Sequence, residues 1–105
     1  MFKTIIAFTF LVAISTATTD IWLNEDHEPG FVKVRKDGSD LFYWLMRSRN
    51  APKTDPLVFW LSGGPGCSSE LAVFYENGPW KINDDLTLKK NEYSWNEKAN
   101  VVYMD

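Results

Sequence analysis

Three stretches of the 105-residue chain predict an α/β fold. Leu57-Val58-Phe59-Trp60-Leu61 is a short apolar run that enters a glycine-rich turn and then a helix start. Phe31–Arg35 and Leu41–Met46 flank an Asp37-Gly38 turn signal, the pattern of an antiparallel hairpin. Asn100–Asp105 is a second apolar run with strand character. Five consecutive apolar residues after Pro56 are expected of a strand covered on both faces, as in a parallel sheet.

The elements follow in chain order. Lys3 precedes Ile5–Ile14, an apolar stretch interrupted only by Thr9, and Ser15-Thr16-Ala17 supplies the small residues a signal peptidase accepts. Residues 1–17 are therefore predicted to be a signal peptide, cleaved after Ala17. The stretch is about half of the roughly 20 residues a membrane-spanning helix needs, so no membrane association is expected after cleavage. The secretory pathway is the expected route. Cleavage removes Lys3 and leaves ten basic and fourteen acidic residues, a net charge of −4 over 88 positions. That balance argues against nucleic acid as a partner.

His27, the one histidine, lies among Glu25, Asp26 and Glu28 ahead of the first predicted strand, and reads as a solvated residue. After the hairpin, Ser48–Asp55 with Pro52 forms a polar loop. Next comes the apolar strand, and then Ser62-Gly63-Gly64-Pro65-Gly66. The glycines, having no Cβ, can take positive φ and let another molecule approach the main chain, while Pro65 fixes one φ between them. Ser68 and Ser69 suit an N-cap, and Glu70 suits the positive end of a helix. Leu71–Tyr75 continue the helix until Gly78-Pro79 stops it. Asp84-Asp85 and Asn91-Glu92 punctuate a loop-rich segment around Leu86-Thr87-Leu88. The aromatic load of five Trp, four Tyr and seven Phe is assigned mostly to core packing, with Trp60 packing beneath the glycine turn.

Exposed N–H groups beyond the carboxyl end of a strand can hold a phosphate or a developing oxyanion. A phosphate loop needs a Lys just after its last glycine, whereas Gly66 is followed by Cys67-Ser68. The oxyanion reading is preferred, with a purely structural turn as the alternative. Glu76 breaks a local rule: it sits in the last turn of the helix, where the dipole disfavours negative charge. Read from its residues alone, it is an exposed glutamate at a helix end. No G-x-S-x-G elbow occurs, and no Asn-x-Ser/Thr sequon is present. Ser68 has no base in view and is not taken as a nucleophile.

The string Trp60–Ser69, WLSGGPGCSS, closely resembles the WLNGGPGCSS signature of the serine carboxypeptidases, the S10 peptidases. Further blocks resemble the same family in the same order: Gly30–Val34, Leu41–Leu45, Tyr75–Trp80, Tyr93–Asn96 and Ala99–Asp105. The Ser62 variant followed by Ser69-Glu70-Leu71-Ala72 is similar to the carboxypeptidase III type. The resemblance implies an α/β-hydrolase fold, of which residues 18–105 hold the amino-terminal strands, the oxyanion loop and the first helix. Family members run to several hundred residues, and their nucleophilic Ser, Asp and His have no counterparts within these 105.

By resemblance, the Gly64 N–H forms half of an oxyanion hole, and Ser62, Gly63 and Glu76 bind the free C-terminal carboxylate of a peptide substrate. Ser62 stands where most members have Asn, offering one hydroxyl donor in place of an amide NH₂. In the family Glu76 works with a second, later glutamate. Two carboxyl groups facing a substrate carboxylate bind it only when they hold protons, so acidic pH is expected to favour such an enzyme. Cys67 is the chain's one cysteine. A lone cysteine in a secreted protein points to a partner outside the chain, and the family implies a disulfide to a much later residue.

The function expected from the resemblance is serine-type carboxypeptidase chemistry without metal or organic cofactor, in an extracellular, lysosomal or vacuolar setting. These residues alone are expected to be inactive. Two alternatives stand beside it: a secreted acyltransferase on the same scaffold, and a non-catalytic truncated secreted protein.

Overall fold

Asp37-Gly38 reverses the chain as its residues require: Gly38 takes φ 97°, and the Asp37 carboxylate accepts the Ser39 N–H at 3.0 Å. The computed structural model describes residues 20–105, so residues 1–17, expected from the sequence to be a signal peptide, lie outside the described residues. On either side of the turn run β1 (His27–Lys33) and β2 (Asp40–Met46), paired antiparallel. β3 (Leu57–Trp60) follows the polar loop, then helix α1 (Glu70–Tyr75). β4 (Trp80–Ile82) and β5 (Leu88–Lys90) form a separate hairpin. A 3₁₀ turn at Trp95–Glu97 leads into β6 (Asn100–Met104).

The main sheet has the order β1-β2-β6-β3. β6 lies antiparallel to β2 and parallel to β3, with Trp60 opposite Tyr103. The mixed α/β architecture expected from the sequence is present. β1 occupies one edge, which explains how it accommodates Pro29 within the strand.

Alternation decides what each face buries. Trp44 and Met46 from β2, and Val101 and Tyr103 from β6, point to one face, where Ala72 and Val73 of α1 and Trp80 of β4 cover them. Trp22 packs against Trp44 and Trp80 with ring centroids 5.3 and 5.0 Å apart. Full burial of a Trp such as Trp80 removes a large apolar area from water, and its truncation to Ala costs about 3–5 kcal/mol.

Three expectations are corrected. β3 is not covered on both faces: among the described residues it is the other sheet edge, and Leu57 and Phe59 are 54% and 61% exposed. The apolar run is physically right for a two-faced strand, yet these residues supply cover for one face only. The segment 80–90 is not loop-rich but a β-hairpin, closed where Leu86 takes φ 66° and the Asp85 carboxylate accepts the Thr87 N–H at 3.0 Å. His27 is not a solvated residue. It begins β1 opposite Met46, is half-buried, and accepts the Trp44 indole N–H on Nδ1 at 3.1 Å. The rings of Trp22, Trp44 and Trp80 surround it at 5.4–5.7 Å.

Candidate functional site

The glycine turn hangs from the carboxyl end of β3 and is fastened at both ends by Ser69. The Ser69 hydroxyl accepts the Ser62 N–H at 3.0 Å, and the Ser69 N–H reaches Asp105 Oδ1 at 3.3 Å. Ser69 therefore sits at the N-cap without capping: its side chain is spent on the turn, and the Ser68 hydroxyl takes the Glu70 N–H at 3.1 Å. The N–H groups of Leu71 and Ala72 bond to the carbonyls of Ser68 and Ser69. The helix start thus adds no bare donors.

Within the turn the outcome differs. Gly63 and Gly64 are exposed, and neither N–H finds an acceptor among the described residues. Gly64 takes φ 152°, and a Cβ there would stand 3.2 Å from Cys67 Sγ and 3.3 Å from the Cys67 N. Gly66 is also at positive φ, 86°, whereas Gly63 is not. Gly64 is therefore the glycine held in place by both conformation and space. Two adjacent main-chain donors, open to solvent at the end of a parallel strand, can receive negative charge without prior desolvation of a partner.

Trp60 is half-buried and donates its indole N–H to the Ser62 hydroxyl oxygen at 3.3 Å. It also meets the Trp95 ring edge-on at 5.3 Å. With the Ser62 oxygen already accepting, its own proton remains to donate. Cys67 is exposed and unpaired among the described residues.

Glu76 closes α1, and its side chain is exposed with no hydrogen bond or ion pair among the described residues. Its carbonyl accepts Lys81 Nζ at 2.7 Å. The following turn is tightly seated. A Cβ on Gly78 would fall 2.2 Å from the Val73 carbonyl oxygen, so only glycine fits against the helix end. Asn77 is buried, and its Oδ1 accepts the Tyr103 hydroxyl at 3.2 Å, while its Nδ2 is buried with no partner among the described residues. Burial holds the Tyr103 phenol well above its ordinary value, and the nearby Glu76 charge adds to this, so the hydroxyl stays a donor. Tyr103 is also the register partner of Trp60. One buried side chain thus stands between the strand that delivers the glycine turn and the turn that delivers Glu76.

Support for this arrangement comes from a polar cluster that the sequence did not disclose. Arg49 donates to the Glu25 carboxylate, to Glu97, and to the carbonyls of Asn91 (2.9 Å) and Pro79 (3.3 Å). Asn96 Nδ2 donates to Glu25 at 3.0 Å and to the Arg47 carbonyl at 3.1 Å. Burial alone would raise the Glu25 carboxyl; the hydrogen bonds of Arg49 and Asn96, with the charges of Arg49 and Lys90, overcome it and hold Glu25 below its ordinary value. An apolar groove lined by Ile21, Trp22, Leu23, Phe74, Leu86 and Leu88 includes none of Ser62, Gly63, Gly64 or Glu76. Among the described residues, no three His, Cys, Asp or Glu side chains gather to hold a metal, and no helix is long and apolar enough to cross a membrane.

Residues 17–105 match the family model described as serine carboxypeptidase, Peptidase_S10. The chain belongs to the serine carboxypeptidase family. It is 47% identical over 102 residues to serine carboxypeptidase S10 family member 1 of Dictyostelium discoideum, a match covering 96% of this chain and 23% of that protein. It is 52% identical over 80 residues to serine carboxypeptidase-like 49 of Arabidopsis thaliana, covering 75% of this chain and 15% of the relative. Among solved structures, Kex1(Δ)p, a prohormone-processing carboxypeptidase from Saccharomyces cerevisiae, superposes with a TM-score of 0.67 at 30% identity, over 83% of this chain and 20% of that one. The chain spans less than a quarter of the length of these curated relatives.

Proposed function

We propose that these residues carry the oxyanion and carboxylate-binding part of a serine-type carboxypeptidase. The observation behind this reading is the pair of exposed N–H groups at Gly63 and Gly64, without an acceptor among the described residues and set at the end of a parallel strand in a chain of this family. In the proposed reaction a serine hydroxyl adds to the carbonyl carbon of the last peptide bond. The Gly64 N–H stabilises the resulting oxyanion, the terminal amino acid departs, and water cleaves the acyl-enzyme. Ser62, Gly63 and Glu76 hold the free carboxylate of the peptide substrate.

The serine, its histidine base and the acid lie in polypeptide other than these 105 residues, and residues 18–105 alone are inactive. The sheet is the amino-terminal part of an α/β-hydrolase sheet, and Cys67 pairs with a cysteine elsewhere. Residues 1–17 direct the protein into the secretory pathway, to an extracellular, lysosomal or vacuolar destination; the family match begins where this leader ends.

The test is a chimera in which residues 20–105 replace the matching segment of the Dictyostelium relative. Release of a C-terminal amino acid from a blocked dipeptide at acidic pH is expected from the chimera and not from residues 18–105 alone. A folded, secreted chimera without peptidase activity overturns the reading.

A further inference from the structure

The turn that carries Glu76 is held by every carbonyl it presents. The Glu76 carbonyl accepts Lys81 Nζ; that of Asn77 accepts the Trp95 N–H at 2.9 Å and lies 3.1 Å from the Ser94 hydroxyl. The Gly78 carbonyl accepts Asn91 Nδ2 at 2.8 Å, and the Pro79 carbonyl accepts the Asn91 N–H at 2.7 Å. From the opposite side the Tyr103 hydroxyl fixes the Asn77 amide. Asn91 and Tyr103 are both buried, at 7% and 1% exposure. Meanwhile the Glu76 side chain, on this tightly bonded base, has no hydrogen-bond or ion-pair partner among the described residues. A folded chain that fixes a backbone so fully, and leaves on it one exposed carboxyl with no hydrogen bond or ion pair among the described residues, is prepared to present that carboxyl to something else.

We propose that Asn91 and Tyr103 are positioning residues for terminal-carboxylate recognition. Asn91 holds the Gly78-Pro79 end of the Glu76 turn, and Tyr103 sets that turn at a fixed distance from Trp60, Ser62 and the glycine amides. The inference rests on the proposed role of Glu76. It adds a function for the 91–96 loop, which determines where the substrate carboxylate is met. Misplacement of a binding group by about 1 Å is enough to cost affinity, and loss of one such hydrogen bond corresponds to about tenfold.

The experiment uses the chimera with the variants Tyr103→Phe, Asn91→Ala and, as control, Glu76→Ala, each assayed on a peptide with a free C-terminal carboxylate and on the same peptide amidated. For Tyr103→Phe and Asn91→Ala, KM for the free acid is expected to rise about tenfold with kcat within about twofold, while the amidated peptide is turned over as before. An equal loss on both peptides, or no change on either, overturns the inference. Where Asn91→Ala is not secreted folded, Tyr103→Phe, which removes one oxygen from a filled site, decides alone. If Glu76→Ala leaves the preference for the free acid intact, the carboxylate role of Glu76 falls, and the inference with it. If Glu76→Ala abolishes that preference and Tyr103→Phe does not weaken it, only the inference falls. An inactive chimera overturns both.

Discussion

The two ends of the described sheet treat their polar groups in opposite ways. Around Glu25, Arg49 and Asn96, charges and amides are buried and almost every donor has an acceptor. At the carboxyl end of β3, main-chain donors and apolar side chains alike face outward without partners among the described residues. A buried polar network tolerates no missing member, because the remaining charges cannot be rehydrated; an exposed bare amide costs little, because water serves it until a better acceptor arrives. The first region is built to hold; in the proposed function the second is the one that receives. Mutations should separate them, the first through stability and the second through turnover.

The largest effect is expected at the holding end. Arg49→Ala leaves the Glu25 carboxylate buried at 3% side-chain exposure and without its main counter-charge, and removes donors to two carbonyls. Breaking a buried pair in this way costs about 3–5 kcal/mol. The chimera carrying it should lose most of its secreted yield and its thermal midpoint should fall. A secreted, heat-stable Arg49→Ala chimera would show that the cluster is not what anchors the segment.

Gly64→Ala tests the receiving end. A methyl group at φ 152° is strained and meets Cys67 at 3.2 Å, so the turn must shift and redirect its N–H. Loss of one oxyanion donor lowers kcat by about 10²–10³. Since the turn is exposed, the thermal midpoint should move far less than for Arg49→Ala. A matched loss of stability and turnover would erase the distinction between the two ends.

How much of this was legible in the sequence follows the same division. The hairpin around Asp37-Gly38, the strand Leu57–Trp60, the glycine turn and the helix Glu70–Tyr75 are written in local patterns, and each was predicted within a few residues. The holding cluster joins Glu25 to Arg49 across 24 positions and to Asn96 across 71, and no local period encodes such a contact. His27 was misread for the same reason, since its three tryptophan neighbours come from a turn and two separate strands. The β4–β5 hairpin was missed because its strands are only three residues each and its turn is built on Leu86 at positive φ, where Gly or Asn would have announced it. Ser69 was placed correctly at the helix boundary, but which N–H its hydroxyl takes depends on the path of the turn seven residues earlier.

A smaller effect sharpens the receiving end. Ser62→Asn restores an amide donor where the Ser62 hydroxyl now accepts from Trp60. An added donor toward a carboxylate is expected to lower KM for free-acid peptides by about three- to tenfold, with the amidated peptide unchanged. An unchanged ratio between the two peptides would mean that position 62 does not face the carboxylate.

The smallest expected effect is a null one, and it concerns acid. Glu25 has its carboxyl held below its ordinary value of 4.5, so its ionised form is the one the fold prefers. Stability from such a group is present at every pH above 4.5 and is lost only as pH falls through the lowered folded value. Asp55, lowered by its bonds from the Ser48 hydroxyl and the Ala51 N–H, has the same sign. The holding end should therefore be insensitive between pH 7 and about 5. Amide exchange in β2 and the 91–96 loop should be flat after correction for the intrinsic rate across that range, then accelerate below 4.5, and Glu25→Gln should remove much of the acceleration. Exchange that quickens already between pH 7 and 5 would mean that groups other than the Glu25 and Asp55 carboxylates set the stability of the holding end.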